Sequence, residues 1–197
     1  MIFVLLDTNT YLRLAKRVRP MLGRKFGEKD YVLTVLKDVE EEVRRNSALR
    51  YRFPWFDDSD LAAERVAAQI RLSAAEHKKL DVAASVLRGV ALSDVARYMS
   101  GGRSPPSDVD CRVLAFGQIR EAVVVTDDLG MHLLANDFDI PVWHGCDLLA
   151  RMRTHKVVNN DLVRGIYAAL EANGDLTETW IAAKHTTFIK IFGKPPR

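Results

Sequence analysis

The chain has 197 residues, of which 48% are hydrophobic and 28% charged. Those proportions exclude a disordered chain, a collagen-like fibre and a disulfide scaffold, and the length suits one domain, or one domain with an appendage, around a real core. The formal charge of +3 comes from 29 Lys and Arg against 26 Asp and Glu; so small a bias does not announce a nucleic-acid binder, and the placement of the charges has to decide.

Residues 2–6 are an unbroken apolar run, of the kind a parallel sheet buries on both faces. The run is too short for a signal-peptide core or a membrane span, and no basic flank precedes it. No other stretch approaches the ~18 apolar residues a span needs, so no membrane segment and a cytoplasmic location are expected. Cys111 and Cys146 form no C-x-x-C pair, which fits free thiols in a reducing compartment, and the five histidines lack zinc-ligand spacing.

Thr8, Asn9 and Thr10 supply N-cap chemistry for a helix through Ala15, which Pro20 and Gly23 end. Residues 31–36 read as a second strand. A charged helix follows over 37–45, with Val39 and Val43 on one face. Residues 53–56 read as a loop, and an Ala-rich helix is expected over about 60–72. Ser73 and Glu76 form an S-x-x-E capping box for a helix reaching about residue 99, with a break near Gly89 or Ser93. Residues 101–106 are the clearest loop. Ser107 and Asp110 then cap a helix to about Ile119. Residues 122–126 form another buried-strand pattern, ending in Asp127 and Asp128 before a helix carrying Met131, Leu133 and Leu134. Residues 140–143 are a short last strand, and a helix begins at Asp147.

Strands alternating with helices predict an α/β fold with a central, mainly parallel sheet flanked by helices. Residues 154–197 differ from residues 1–153. They read as two helices, over 159–170 and 177–192, and form a helical C-terminal extension. Leu162, Ile166, Leu170, Trp180, Ile181, Phe188 and Ile191 make it too apolar for a free tail, so it is expected to pack on the domain or on a partner such as a second copy.

The acids sit at telling places. Asp7 ends the first strand, Asp110 lies in the first turn of a helix, and Asp127 and Asp128 end a later strand. Open α/β sheets bind ligands outside the carboxyl ends of their strands, so these acids are expected to converge there. One of Glu40, Glu41 and Glu42 could join them from the helix after the second strand. Clustered carboxylates raise one another's pKa, and a cation offsets their repulsion. Hard oxygen donors without His or Cys suit Mg²⁺ or Mn²⁺, and such ions activate water for attack on a phosphodiester. Each acid also has a plainer role open to it, as a helix cap, a turn or a solvated face.

Four segments together resemble the PIN domain, the nuclease fold of VapBC-type toxins and of RNA-processing nucleases. They are Leu6-Asp7-Thr8-Asn9, then Val39-Glu40-Glu41-Glu42-Val43, then Ser107-Asp108-Val109-Asp110 running to Ala115, and Val124-Val125-Thr126-Asp127-Asp128. The resemblance covers roughly residues 1–150. It implies a PIN-like fold and a metal-dependent endoribonuclease in which Asp7, Glu42, Asp110 and Asp128 are catalytic, with Asp7, Asp110 and Asp128 among the ligands of Mg²⁺ or Mn²⁺. Asn9 would be the polar partner beside Asp7, and Thr126 would orient the last acid. Glu40 is an alternative to Glu42, and Asp127 could replace or assist Asp128. RNA is the implied partner, and the toxin members of the family add an antitoxin protein. The C-terminal extension and the long helical middle depart from compact toxins.

Arg13, Lys16 and Arg17 open a basic stretch that directly follows the Asp7 motif, and Arg103 precedes Asp110 in the Gly-Pro loop. A basic rim of this kind counters phosphate; the alternative is a solvated helix face. Tyr51, Phe53, Trp55 and Phe56 could stack bases or plug the core. Two rival readings remain open. One is a non-catalytic RNA-binding or interaction module on the same fold. The other is a haloacid-dehalogenase-like phosphatase, which Asp7-Thr8-Asn9-Thr10 partly resembles, although Asn9 stands where that class needs a second acid.

Overall fold

The computed structural model describes residues 1–99 and 104–194. The N-terminal apolar run forms β1 (Ile2–Leu6), the middle strand of a five-stranded sheet ordered β2-β3-β1-β4-β5. β1 pairs in parallel with β3 (Tyr31–Thr34) on one side and with β4 (Ala122–Val125) on the other. β5 (Val142–Trp143) extends the parallel set beyond β4, while β2 (Lys25–Phe26) adds an antiparallel edge to β3. The fold is therefore α/β with a mainly parallel sheet. Val4, Leu5, Leu6, Val124 and Val125 are fully buried, as strands covered by helices on both faces must be.

The register places the chemistry. Leu5 pairs with Thr34, and Leu6 pairs with Val125, so β1, β3 and β4 end nearly level. The Asp7 N–H donates to the Val125 carbonyl at 3.1 Å. The chain leaves β1 for β3 on one side and returns to β4 on the other, so the topological switch lies at the carboxyl end of β1, where Asp7 stands.

The helices follow the capping signals with some differences in extent. α1 (Thr8–Leu14) starts at Asp7, and α2 (Lys37–Arg45) buries Val39 and Val43. The 3₁₀ turn Pro54–Asp57 lies where a loop is expected, and α3 (Ser47–Arg52) precedes it in a stretch for which no element is expected. α4 (Ser59–Ala67) stops before the expected 72; the Thr34 hydroxyl binds the Ala68 carbonyl at 2.8 Å, taking up an acceptor that another helical turn would need. α5 (Ala74–Ser93) opens on its Ser73–Glu76 capping box and breaks at Asp94, which caps α6 (Val95–Tyr98). α7 (Asp108–Ile119), α8 (Leu129–Asp137) and α9 (Gly145–Thr154) complete the stretch to residue 154.

The C-terminal extension folds as α10 (Asn160–Ala172), α11 (Glu178–Ala183), a π-helical turn Lys184–Phe188 and α12 (Ile189–Phe192), rather than as two helices. Val163, Ile166, Tyr167, Trp180, Phe188 and Phe192 are buried in the same core as the strands. The extension thus packs on the sheet domain of its own chain. Among the described residues no helix is long and apolar enough to cross a membrane, and both cysteines are free.

Candidate active site

The site begins with local capping chemistry. Asp7 is the N-cap of α1, and its Oδ1 accepts from the Thr10 N–H at 2.6 Å. Its Oδ2 accepts from the Thr126 hydroxyl at 2.6 Å, across from the end of β4. Thr126 Oγ1 in turn accepts from the Asp128 N–H at 3.1 Å, so one hydroxyl ties the ends of both strands. Thr126 therefore orients the first acid through its carboxylate and the last acid through its backbone.

Glu42 reaches the same edge from α2, where the Thr8 hydroxyl donates to its Oε2. Thr8 is buried beside Asp7, while Asn9 is exposed. The polar link next to Asp7 thus falls to Thr8, which the sequence pattern did not single out. Glu40 lies on another face. It accepts from Arg65 Nε at 2.9 Å and pairs with Arg44 at 3.7 Å. Arg65 is 1% exposed; it also donates to the Tyr11 hydroxyl and the Phe56 carbonyl, and it lies 3.9 Å from the centre of the Phe56 ring. Glu40 is the counter-ion of a buried arginine.

Asp110 is the N3 residue of a capping box on α7. Its Oδ2 accepts from both the Ser107 N–H and the Ser107 hydroxyl at 2.8 Å. Burial raises its pKa to about 6; the two Ser107 hydrogen bonds oppose the rise, and the negative charges of Asp7 and Glu42 add to it. The Asp7 pKa is raised too, by burial, against the hydrogen bonds from Thr126 and Thr10 and the charge of Arg13. Three acids from three separate elements therefore lie within electrostatic reach of one another near the end of β1. Oδ1 of Asp110 and Oε1 of Glu42 accept no hydrogen bond among the described residues.

Asp127 and Asp128 have different employments. Asp128 caps α8, with its Oδ1 taking the Met131 N–H at 3.0 Å. Asp127 is 6% exposed and holds the C-terminal extension: it accepts from the Gly145 N–H at 3.0 Å and from the Trp180 indole N–H at 2.7 Å. Arg13 lies 3.9 Å from it and His144 Nδ1 3.7 Å. Burial pushes its pKa up, but the His144 contact, the Gly145 and Trp180 donors and the Arg13 charge outweigh that, and the result is lowered. A Cβ at Gly145 would crowd this anchor, sitting 3.1 Å from Asp127 Oδ2 and 3.3 Å from the Trp180 ring, so one of them would have to yield by a few tenths of an ångström. His132 stacks on His144 at 3.9 Å, and its Nε2 lies 2.9 Å from the Thr126 carbonyl, so it braces the end of β4.

Of the basic candidates, Arg13 is turned toward Asp127, while Lys16 and Arg17 are exposed. Arg103 lies outside the described residues. Among the described residues no group of three or more His, Cys, Asp and Glu side chains is drawn together so that it could hold a metal ion as it stands; the acids lean on their own caps and on threonine hydroxyls.

No family model matches the chain, and no curated protein matches it. Among solved structures, it is similar to the crystal structure of FitAcB from Neisseria gonorrhoeae. The identity is 13% and the TM-score 0.45, over 72% of this chain and 97% of that one.

Proposed function

We propose that the chain is an endoribonuclease with a PIN-like fold, using Mg²⁺ or Mn²⁺ at the carboxyl end of β1. The observation that carries this reading is that Asp7, Glu42 and Asp110, from the end of β1, from α2 and from α7, lie within electrostatic reach of one another, with Thr126 and Thr8 holding the first two. Carboxylates left to face one another raise the free energy of their ionised forms, and a divalent cation offsets that cost. The donor set is all oxygen, which fits Mg²⁺ or Mn²⁺ better than zinc. Asp7, Glu42, Asp110 and Asp128 would hold the ion, with the unbonded oxygens of Glu42 and Asp110 the readiest to turn toward it.

Such an ion would supply an activated water and stabilise the negative charge that develops on a phosphodiester. The chain's own part is positional. Thr126 fixes Asp7 relative to β4, Thr8 fixes Glu42 relative to α1, and Ser107 fixes Asp110 at the start of α7.

Cleavage of an end-labelled RNA tests the proposal, with the parent compared with Asp7→Asn and Asp110→Asn in Mg²⁺, in Mn²⁺ and in chelator. The parent should cut only with metal, and each variant should lose at least about a hundredfold, since disturbing even outer partners of a metal site costs about 10- to 100-fold. Equal cutting by all three proteins, or none under any metal, rejects the nuclease and leaves the non-catalytic RNA-binding module. The phosphatase reading is disfavoured by Asn9, which is exposed and carries no acid.

A further inference from the structure

Apart from the acid pocket, the molecule has a groove of about 470 Å³ built by three segments distant in sequence. One wall is α1 and the turn after it, with Arg13, Lys16 and Arg17. The other is the stretch after α3, with Phe53 and Trp55, and the end of α10 closes the groove. Resting on the nuclease reading above, we propose that this groove binds an unpaired RNA strand leading into the acid pocket, with a base against Trp55 and phosphates against Lys16 and Arg17.

The charge of the groove fits a polyanion. Lys16 and Arg17 are exposed and make no ion pair among the described residues. The one acid in the lining, Asp175, is already bound by Arg52, so the two neighbouring cations are left uncompensated. Lysine and arginine so placed bind phosphate through released counterions.

The aromatic wall fits a base. Phe53 and Trp55 are only half-buried, although burial is the usual fate of large aromatic rings. Their rings meet at 80° with centroids 6.1 Å apart. Tyr11 backs the indole at 6.5 Å, and Tyr11 is itself packed edge-on to buried Phe56. Trp55 is thus braced on the protein side and lines open space on the other. A base can stack on such a ring whatever its identity, but only if its face is not already paired and stacked in a duplex. The position of the groove supplies the last link. Arg13 lines it, lies 3.9 Å from Asp127 at the end of β4 and lowers the pKa of Asp7 by its charge, so one wall of the groove is within electrostatic reach of the first acid.

Equilibrium binding of a fluorescein-labelled single-stranded RNA to the full chain, read by anisotropy in chelator so that nothing is cut, tests the inference. Trp55→Ala should weaken binding about tenfold at every salt concentration, as loss of one stacked base does, without changing the salt dependence. Lys16→Ala combined with Arg17→Ala should flatten the slope of log K against log salt by about 1.4, the value for two phosphate contacts on a single strand. Trp55→Phe should regain most of the affinity, which separates stacking from damage to the fold. A perfect RNA duplex should bind Trp55→Ala as it binds the parent. Parent-like affinity and slope in both groove variants overturns the groove, even where cleavage stands. Weakened binding in those variants with no cleavage under any metal supports the groove and removes the nuclease reading alone.

Discussion

Asp7 and Asp127 stand at the ends of neighbouring strands, are almost equally buried at 3% and 6% exposed, and are treated in opposite ways. Burial lifts the pKa of Asp7, and two threonine hydrogen bonds and the charge of Arg13 do not bring it back. Burial also acts on Asp127, but His144, the Gly145 N–H, the Trp180 indole and Arg13 together lower it. The difference lies in company rather than depth. Asp127 is surrounded by donors and cations and acts as an anchor for the C-terminal helices. The charge of Asp7 disfavours the ionised form of Asp110. On the proposed reading, the acid with its charge answered is structural, and the one near other acids is the one a cation would neutralise.

The largest expected effect breaks the anchor. Asp127→Ala leaves the Trp180 and Gly145 donors without an acceptor and removes the carboxylate beside Arg13. Breaking a buried charged pair in this way costs about 3–5 kcal/mol, to be read by urea unfolding. Glu40→Ala should cost a similar amount, since it strands the buried Arg65 guanidinium. Asp7→Asn should do the reverse, leaving stability at or above that of the parent at neutral pH while abolishing cleavage. If Asp7→Asn unfolds the chain and Asp127→Ala does not, the roles assigned to the two acids are exchanged.

A smaller effect, with a definite sign, sharpens the same contrast. The folded pKa of Asp110 is raised from 3.8 to about 6, so between those values the folded chain holds a proton that the unfolded chain has released. Stability should therefore fall as pH rises from about 4 to about 6, by up to about 3 kcal/mol at the conversion of ~1.36 kcal/mol per pH unit. Asp127 runs the other way: its lowered pKa contributes stability that is present above the unfolded value and lost as pH falls below about 4. Denaturation of the parent and of Asp110→Asn at pH 4.5 and pH 7 isolates the Asp110 part of the slope, which should be lost in the variant while the part due to Asp7 remains. Added Mg²⁺ at pH 7 should stabilise the parent more than Asp110→Asn. The same slope in parent and variant from pH 4 to 6 denies the raised pKa of Asp110.

The sequence made parts of this legible for clear reasons. β1 and β4 are unbroken apolar runs, β4 buried along its whole length, and the Ser73–Glu76 and Ser107–Asp110 capping boxes mark their helices without tertiary help. β2 escaped notice because two residues have no period, and α3 because it buries no residue and so shows no apolar stripe. The site was legible as a set of acids at strand ends, but their division of labour was not. Glu40 and Glu42 are equally acidic on paper, and only Arg65 and Thr8, both remote in sequence, separate them. Asp127 and Asp128 likewise look interchangeable until Trp180 arrives from the C-terminal extension.

The smallest expected effect concerns the two residues after Asp7. Family resemblance favours Asn9 as the polar partner of the site, but Asn9 is exposed and Thr8 is the residue whose hydroxyl meets Glu42. Thr8→Val keeps the volume and the helix start while removing that donor. It should cost about 1 kcal/mol of stability, the net worth of one hydrogen bond, and slow cleavage by about tenfold, as loss of a carboxylate-orienting partner does. Asn9→Ala lies on an exposed helix face and should stay within about 0.5 kcal/mol of the parent, with unchanged cleavage. Paired stability and cleavage measurements decide between the two. Slow cleavage in a fully stable Asn9→Ala, beside normal cleavage in Thr8→Val, would move the supporting role back to Asn9 and leave Glu42 positioned by α2 alone.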